Sequence, residues 1–470
     1  MLGVVGIILS LGLLMWLAWR DVSVILLAPL CALVAVLFEP GRPLLATYTQ
    51  VFMPALGTFI AKYFPLFLLG AVYGKLMEDS GCAASISSAM GRWLGRGHEI
   101  LIVVLSCAVL TYGGVSLFVV VFAVYPIAFR LFQQGGLPRR LIPATIALGS
   151  FTFTMTAMPG SVQIQNLIPM QTFDTDAFAA PVLGLIGSGI ILGLGMKWLL
   201  RQAAIAHRSN EGFGPLPATL ATEAATPPNE AAVLEKCPSA VTAFLPVVVV
   251  IGMNYLLSQH IIPGWDTSYL ATETYGKVKP SSVQGTWATM LAMIFAIGVV
   301  VVIHYRSVSA LLTSLRNGAT SSLMPVFNTA SEVGYGNTIA SLAGFGVVRD
   351  GVTSVAPGAP LVSEAIAVNS LAGITGSASG GLSIAMETLG AEYLRRGTEA
   401  GIDPELMHRV ASMSCGGLDS LPHNGAVITL LLICGVTHRQ SYRDIGVVSV
   451  VCPILATAAV VVLGSLFGTF

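Results

Sequence analysis

Hydrophobic residues occur along most of this chain in long runs, separated by short polar segments. Two examples are VSVILLAPLCALVAVLF (22–38) and VVSVVCPILATAAVVVLGSLFG (447–468). About twenty apolar residues in a helix are enough to cross the hydrocarbon core of a bilayer. A membrane β-barrel would show alternating segments of roughly ten residues instead. The pattern therefore predicts an all-α polytopic membrane protein.

The first half of the chain combines simple spans with two irregular segments. Its predicted spans are about 2–19, 22–38, 58–77 and 182–200. Segment 81–99 is too polar to span and is expected to lie along the interface. The run at about 100–132 is too long for one straight span and contains Tyr112-Gly113-Gly114, which predicts a re-entrant hairpin. Residues 141–166 begin as a helix and then become polar, which predicts a broken helix.

A polar segment, residues 201–240, separates this half from the next. It is rich in Pro, Ala, Thr and Glu without apolar periodicity, so we expect a solvated cytoplasmic linker. The second half then repeats the order of the first. Its spans are predicted at about 241–257, 286–304, 321–342 and 447–468, its hairpin at about 364–394, and its broken helix at about 406–434.

The number of crossings predicts how the two halves are related. Repeats 1–200 and 241–470 each contain five spanning helices, one of them broken, plus a hairpin that does not cross. Five is odd, so the second half must enter the membrane upside down, as in transporters with inverted-topology repeats. Most Arg and Lys residues then fall on the side of the linker. By the positive-inside rule that side is cytoplasmic, and both termini are predicted to be periplasmic.

Composition excludes several classes of function. The chain is 54% hydrophobic and 10% charged, whereas a soluble domain is about a quarter charged. Its net charge is zero, so nucleic acid is not an expected partner. The seven cysteines are scattered without a CxxC pair and are interpreted as small core residues. No HExxH, P-loop or G-x-S-x-G motif occurs, so we expect neither an enzyme nor a metal or other cofactor.

The polar interruptions are the candidate site. Irregular backbone at membrane depth is tolerated only where protein or a water-filled cavity surrounds it. We therefore expect SFTFTMTAMPGSVQIQN (150–166), SCGGLDSLPHNGAV (414–427) and the hairpin tips YGGVS (112–116) and TGSASGG (375–381) to meet around a small polar solute. Half-helix N-termini would favour an anion there. The candidate substrate-binding residues are Tyr112, Gly113, Gly114, Ser116, Thr154, Thr156, Gly160, Ser161, Gln163, Gln165, Ser377, Ser379, Gly380, Ser420, His423 and Asn424.

Three longer stretches resemble a known family. GGVSLFVVVFAVYPIAFRLF, RRLIPATIALGSFTFTMTAMPGSVQIQNLIP and GGLDSLPHNGAVITLL are similar to the gluconate permease (GntP) family of bacterial transporters, within the ion transporter superfamily. The resemblance covers essentially the whole chain apart from the linker. It implies proton-coupled uptake of gluconate, a related sugar acid or a short hydroxy acid such as 3-hydroxybutyrate. It also implies a homodimer in the inner membrane, with a hairpin-bearing domain that moves like an elevator against a scaffold.

Candidates for proton coupling are Asp419, His423 and Glu332. A carboxyl group at membrane depth usually faces a cavity, and burial favours its protonated form. Asp419 could instead cap the second half-helix of its break, and His423 could bond a freed carbonyl group. Glu332, and also Glu364, could lie near a helix end at the interface. The hydroxyl side chains of the list could serve helix packing, since hydroxyls commonly bond across helices.

Two other mechanisms remain open from the sequence. Unwound carbonyl groups and helix C-termini can hold a sodium ion, so the same fold could couple transport to Na⁺. A channel or an intramembrane enzyme is the alternative from another class, although the missing catalytic motifs weigh against the enzyme. Without a nucleotide-binding motif, an ion gradient is the expected source of energy.

Overall fold

The computed structural model describes residues 2–18, 23–95, 97–115, 117–214, 238–356, 358–422 and 424–469. Within these ranges the regular structure is helical and no strand occurs, which confirms the predicted all-α polytopic fold class. Five described helices are long and apolar enough to cross a membrane: Leu44–Asp79, Pro181–Arg208, Ala240–Gly264, Val283–His304 and His438–Phe467. The predicted span 58–77 is thus part of a longer helix.

The helices before the polar segment are numbered α1 to α11. They are α1 (Leu2–Ala18), α2 (Val24–Leu37), α3 (Leu44–Thr47), α4 (Met53–Asp79), α5 (Cys82–Leu94), α6 (Glu99–Tyr112), α7 (Leu117–Gln134), α8 (Ile142–Ser150), α9 (Phe153–Thr156), α10 (Ile164–Phe173) and α11 (Pro181–Arg208). A π-helical turn, Tyr48–Phe52, joins α3 to α4. We call α6 and α7 the first hairpin, and residues 151–163 the first break.

The helices after the polar segment continue the numbering. They are α12 (Ala240–Leu256), α13 (Pro280–His304), α14 (Val308–Ser321), α15 (Leu323–Ala340), α16 (Phe345–Ser354), α17 (Pro360–Thr375), α18 (Ala378–Glu399), α19 (Pro404–Cys415), α20 (Gly425–Cys434), α21 (His438–Gly446) and α22 (Cys452–Phe467). The π-helical turn Val447–Val451 joins α21 to α22. We call α17 and α18 the second hairpin, and residues 416–424 the second break.

Corresponding helices of the two halves pack in corresponding ways. Helix α1 packs against α2, and α12 packs against α13. In turn, α2 packs on α15 of the second half, and α13 packs on α4 of the first half. Each half-helix that follows a break packs on the hairpin of the other half, α10 on α18 and α20 on α7. The halves are therefore interlocked, while their inverted orientation stays a prediction.

The predicted linker begins later than expected. Helix α11 continues to Arg208, so residues 201–208 are helical rather than part of the linker. The reason is that RQAAIAHR consists mostly of good helix formers, and that Gln202 and Ala206 are buried against the protein. Residues 215–237, the greater part of the predicted linker, lie outside the described residues.

Each hairpin packs closely because a glycine stands at its contact. A Cβ atom on Gly381 of α18 would collide with the backbone of Ala372 in α17. A Cβ atom on Gly149 of α8 would likewise collide with the carbonyl oxygen of Val104 in α6. A side chain at Gly381 would separate the two helices of the second hairpin, and one at Gly149 would push the first hairpin away from α8.

Candidate functional site

A cavity of about 620 Å³ lies where the irregular segments of both halves meet. Gly114 of the first hairpin tip and residues 375–379 of the second hairpin tip line it. The first break contributes Gln163, and the second break contributes Asp419 and Asn424. Helices α4, α13 and α15 complete the wall. The cavity is thus bounded on one side by the four interruptions and on the other by regular helices.

The first break is tied to the first hairpin through one side chain. Gln163 is the residue before α10, and its Nε2 donates to the carbonyl oxygen of Thr111 at 2.6 Å and to that of Val115 at 3.3 Å. Both carbonyl groups lie at the turn of the hairpin, and that of Thr111 also accepts the N–H of Gly114 at 3.0 Å. Gln163 therefore fixes the tip of the first hairpin to the start of α10.

The second break has an equivalent tie. Asn424 is the N-cap of α20, and its Oδ1 accepts from the N–H groups of Ala426 at 2.6 Å and Val427 at 2.9 Å. Its Nδ2 donates to the carbonyl oxygen of Gly376 at 2.8 Å. One amide side chain thus caps the half-helix and holds the second hairpin tip in place.

Several described helices begin at the cavity wall, among them α10, α18 and α20. The first N–H groups of a helix have no acceptor within that helix, and the helix dipole leaves a partial positive charge there. At α18 the N-cap residue Ser377 accepts from the N–H of Gly380 at 3.0 Å, while Ala378 and Ser379 line the cavity. Converging helix N-termini make this wall favourable for an anion.

Two carboxyl groups face this positive wall. Glu332 lies in the middle of α15, is 3% exposed and lines the cavity. Its carboxyl group lies against the start of α18, because a Cβ atom on Gly380 would collide with Glu332 Oε2. Glu332 is therefore not at an interfacial helix end. Oε2 has no hydrogen-bond partner among the described residues.

Asp419 is the second carboxyl group of the cavity. It is 4% exposed, and its Oδ1 accepts from the Ser420 hydroxyl at 3.1 Å. The N-cap of α20 is Asn424, so Asp419 does not cap that half-helix. Among the described residues that line the cavity, Glu332 and Asp419 are the acidic ones, and no Lys, Arg or His accompanies them. A bound anion would meet helix N-termini and neutral polar groups there.

The predicted site residues divide into three groups. Those that line the cavity are Gly114, Gln163, Gln165, Ser377, Ser379, Asn424, Asp419 and Glu332. Those that lie outside its wall are Tyr112, Gly113, Thr154, Thr156, Gly160, Ser161, Gly380 and Ser420. Ser116 and His423 lie outside the described residues.

Of the residues outside the cavity wall, those of the first half with a hydroxyl group donate it to backbone carbonyl groups, whereas the Ser420 hydroxyl donates to Asp419. Thr154 Oγ1 donates to Gly149 O at 2.8 Å, and Ser161 Oγ donates to Thr154 O at 2.8 Å. The Tyr112 hydroxyl donates to Pro159 O at 2.6 Å. A broken helix frees carbonyl groups that must find donors in a low-dielectric interior. These side chains satisfy the first break instead of facing a solute.

Much of the remaining cavity wall is apolar, which the sequence analysis did not anticipate. Phe67 of α4, Phe151 and Met155 near the first break, and Met293 of α13 are part of it. Their residue types are the same as those of any core or lipid-facing position, so no sequence signal separates them. Asn328 also lines the cavity, and its spacing of four residues from Glu332 on α15 could have indicated a shared helix face.

Behind the cavity lies a buried cationic brace that the sequence analysis also missed. Arg409 of α19 is fully buried and donates to the carbonyl oxygens of Ala157 at 3.2 Å and Ala179 at 2.6 Å. It also donates to Asn166 Oδ1 at 3.0 Å, and Asn166 Nδ2 donates to Ser161 O at 2.9 Å. A charged residue within the run LMHRVASMSC was the available signal. Arg409 joins the second half of the chain to the first break.

Glu364 is buried but lies away from the cavity. It belongs to α17, is fully buried, and neither carboxyl oxygen has a hydrogen-bond partner among the described residues. It is the fifth residue of α17, so the predicted alternative of a position near a helix end stays open. The six described cysteines are buried, as expected of core residues. In the described ranges no three His, Cys, Asp or Glu side chains are grouped as metal ligands would be.

Comparison with known proteins shows the family to which this chain belongs. No family model matches the chain. The uncharacterized transporter YxjC of Bacillus subtilis (strain 168) is 44% identical to it over 473 residues, which covers 98% of each chain. The crystal structure of the Alcanivorax borkumensis YdaH transporter, described as having an unusual topology, matches 90% of each chain with a TM-score of 0.56 and 15% identity. The latter likeness concerns the fold alone. The chain belongs to the same family of multi-pass membrane transporters as Bacillus subtilis YxjC.

Proposed function

We propose that this transporter is a secondary active symporter that couples the uptake of a small organic acid anion to the movement of a proton. The observation that carries the proposal is the composition of the cavity. Helix N-termini, those of α10, α18 and α20 among them, share it with two buried carboxyl groups, and no basic side chain is present among its described lining residues. Such a wall attracts an anion through backbone dipoles while it holds two groups that can bind protons.

The anion is expected to bind at the helix N-termini. Each N-terminus contributes about 0.3–1 kcal/mol of favourable interaction with a negative charge, and more where the site is partly buried. Gln163 and Asn424 hold two of these N-termini beside the hairpin tips. A carboxylate with its neighbouring hydroxyl could accept from the free N–H groups and exchange hydrogen bonds with Ser377 and Ser379.

Proton coupling is supported by the like charges in the cavity. Two ionised carboxyl groups and an anionic substrate would repel one another strongly in a low-dielectric space. Protonation of Asp419 or Glu332 would remove part of that repulsion, so anion and proton would bind together. We propose Asp419 as the principal proton carrier because it lies within the second break, where a conformational change can alter its access to water.

The apolar part of the wall supports a choice among the possible substrates. Gluconate and related sugar acids carry hydroxyl groups along their whole length. Several of these hydroxyls would face Phe67, Met155 and Met293 without partners, which costs free energy. A short hydroxy acid such as 3-hydroxybutyrate places one polar end at the helix N-termini and a methyl group against the apolar side. We therefore rank short hydroxy acids above sugar acids.

The movement that we propose is of the elevator type. The hydrogen bonds of Gln163, Asn424 and Arg409 connect both hairpin tips, both breaks and α19. Such a connected unit could move as one body against the regular helices α4 and α15 and carry the cavity across the membrane. The resemblance to gluconate permeases supports a homodimer in a bacterial inner membrane, with both termini periplasmic.

The test is uptake by the purified protein in proteoliposomes. Labelled 3-hydroxybutyrate and gluconate are supplied under an inward proton gradient alone, and separately under an inward sodium gradient alone. We expect accumulation with the proton gradient and its loss when an ionophore dissipates that gradient. Protein-free liposomes provide the background. Accumulation with the sodium gradient alone would show that Na⁺ is the coupling ion.

Counterflow distinguishes a carrier from a channel. Proteoliposomes loaded with unlabelled substrate should transiently accumulate labelled substrate without any ion gradient, because a carrier exchanges one molecule for another. A channel would only equilibrate the label. Absence of counterflow together with rapid equilibration would contradict the proposed mechanism.

A further inference from the structure

We propose that Glu332 is a tethered competitor for the carboxylate of the substrate, and that its carboxyl group lies against the anion seat at the start of α18 and blocks it while the cavity is empty. The inference rests on the proposed function, in that the substrate is an anion. It adds a role for Glu332 in setting affinity, which is separate from carrying a proton.

The first step concerns where the Glu332 side chain ends. It crosses from α15 of the wall to the second hairpin, and its Oε2 lies so close to Gly380 that a Cβ atom there would collide with it. Gly380 is the third residue of α18, a helix of 22 residues. Glu332 therefore reaches into the first turn of α18.

The second step concerns what that first turn offers to a ligand. Ser377 Oγ accepts the N–H of Gly380, and Ser377 O accepts the N–H of Gly381 at 2.9 Å. The N–H groups of Ala378 and Ser379 precede these, have no acceptor within the helix, and belong to residues that line the cavity. Glu332 Oε2 lies against Gly380 of the same turn, is buried, and has no hydrogen-bond partner among the described residues.

The third step compares this seat with the start of α20. There the amide of Asn424 fills the first turn, because its Oδ1 accepts the N–H groups of Ala426 and Val427. That cap is an uncharged amide, and it also bonds to the backbone of the second hairpin tip. At α18 the group beside the first turn is the carboxyl group of Glu332, which belongs to α15 on the opposite wall. A substrate carboxylate has the same chemistry as Glu332, so the two cannot occupy the seat together.

The consequence is that substrate binding must displace Glu332 from α18. Displacement breaks a contact between α15 and the second hairpin, which are parts of the two bodies proposed to move against each other. Substrate would therefore both fill the seat and release the hairpin from the wall. Without substrate, the contact of Glu332 with α18 would keep the second hairpin against α15.

The test is equilibrium binding to the purified full-length protein in nanodiscs, with 3-hydroxybutyrate and gluconate as probes. Glu332→Gln removes the competing charge, and we expect a Kd about ten times lower than that of the unmodified protein. Glu332→Asp keeps the charge but shortens the reach by one methylene group. Competition for the seat predicts tighter binding for Glu332→Asp as well, whereas a purely long-range charge effect predicts no change.

Asp419→Asn is the matched control, since it removes a carboxyl group from the same cavity without emptying the α18 seat. It should tighten binding less than Glu332→Gln does. Thermal unfolding of each variant in nanodiscs verifies that the compared proteins are folded. Weaker or unchanged binding by folded Glu332→Gln would overturn the inference and leave the proposed function intact. Failure of the unmodified protein and of all variants to bind either carboxylate would overturn both.

Discussion

Gln163 and Asn424 have equivalent places in the two breaks. Each is the last residue before a second half-helix, and each donates its side-chain amide to a carbonyl group at a hairpin tip. The bond from Gln163 to Thr111 O is 2.6 Å long, and the bond from Asn424 to Gly376 O is 2.8 Å long. Both halves of the chain thus use the same device to join a break to its own hairpin at the cavity.

The double role of Asn424 can be separated by two substitutions. Asn424→Ala removes both the cap of α20 and the tie to Gly376, and should cost about 1 kcal/mol of stability as well as most transport. Asn424→Ser keeps a capping oxygen but is too short to reach Gly376. We expect it to retain near-normal thermal unfolding with a strongly reduced initial rate of uptake. Normal uptake by Asn424→Ser would mean that the tie has no role in transport.

Asp419→Asn should abolish gradient-driven accumulation and leave the protein folded. Asparagine has a similar shape and still fits beside Ser420, but it cannot bind and release a proton. Counterflow exchange should persist, because exchange needs substrate binding and movement without net proton transfer. The measurement is uptake with and without a proton gradient in the same proteoliposomes. Full accumulation by this variant would show that another group carries the proton.

Arg409→Ala should destabilise the protein strongly. It leaves the carbonyl groups of Ala157 and Ala179 without their buried donor, which we expect to cost about 3–5 kcal/mol. The first break should loosen, and uptake should fall with it. The control is Arg395→Ala, because Arg395 is half exposed and pairs with Glu392 and Glu399 on the surface of α18.

Thermal unfolding in detergent provides the measurement for both arginine variants. Arg395→Ala should unfold close to the temperature of the unmodified protein. Arg409→Lys should unfold at a temperature between those of Arg409→Ala and the unmodified protein. One ammonium group cannot reach all three acceptors to which the planar guanidinium donates. Equal unfolding temperatures for Arg409→Ala and Arg395→Ala would contradict the bracing role of Arg409.

Met293→Ala should shift substrate preference towards longer chains. Met293 lines the apolar part of the cavity, and its Cε is 3.5 Å from where a Cβ atom of Gly114 would be. Shortening it makes room for additional methylene groups, and we expect about tenfold better relative uptake of six-carbon over four-carbon hydroxy acids. Competition assays against labelled 3-hydroxybutyrate measure this preference. Met253→Ala serves as control, because Met253 packs in a separate cluster beside Leu257.

The positions of the helices and of their interruptions could be predicted because both are local properties of the chain. Apolar runs require helices in a bilayer, and Gly, Pro and amide residues within them mark where the helix must stop. Gln163, Asp419 and Asn424 were found in this way. The extension of α11 beyond residue 200 was missed, because a polar but helix-favouring segment gives no signal that distinguishes it from a linker.

Which polar side chains face the cavity was decided only by the tertiary structure. Thr154 and Ser161 have the same chemistry as Ser377 and Ser379, yet the former bond to backbone carbonyl groups of α8 and the first break, and the latter line the cavity. Whether a hydroxyl bonds to the backbone or lines the cavity depends on the distance to its nearest acceptor. That distance in turn depends on how the break folds.

The sequence by itself determined a helical membrane protein with paired interruptions, since the cost of unpaired backbone groups in hydrocarbon acts on every segment independently. The tertiary structure alone decided that Glu332 reaches Gly380, that Arg409 braces the first break, and that Phe67 and Met293 form one side of the cavity. These relationships join residues far apart in the chain. They depend on helix packing across both halves, which no local pattern of residues records.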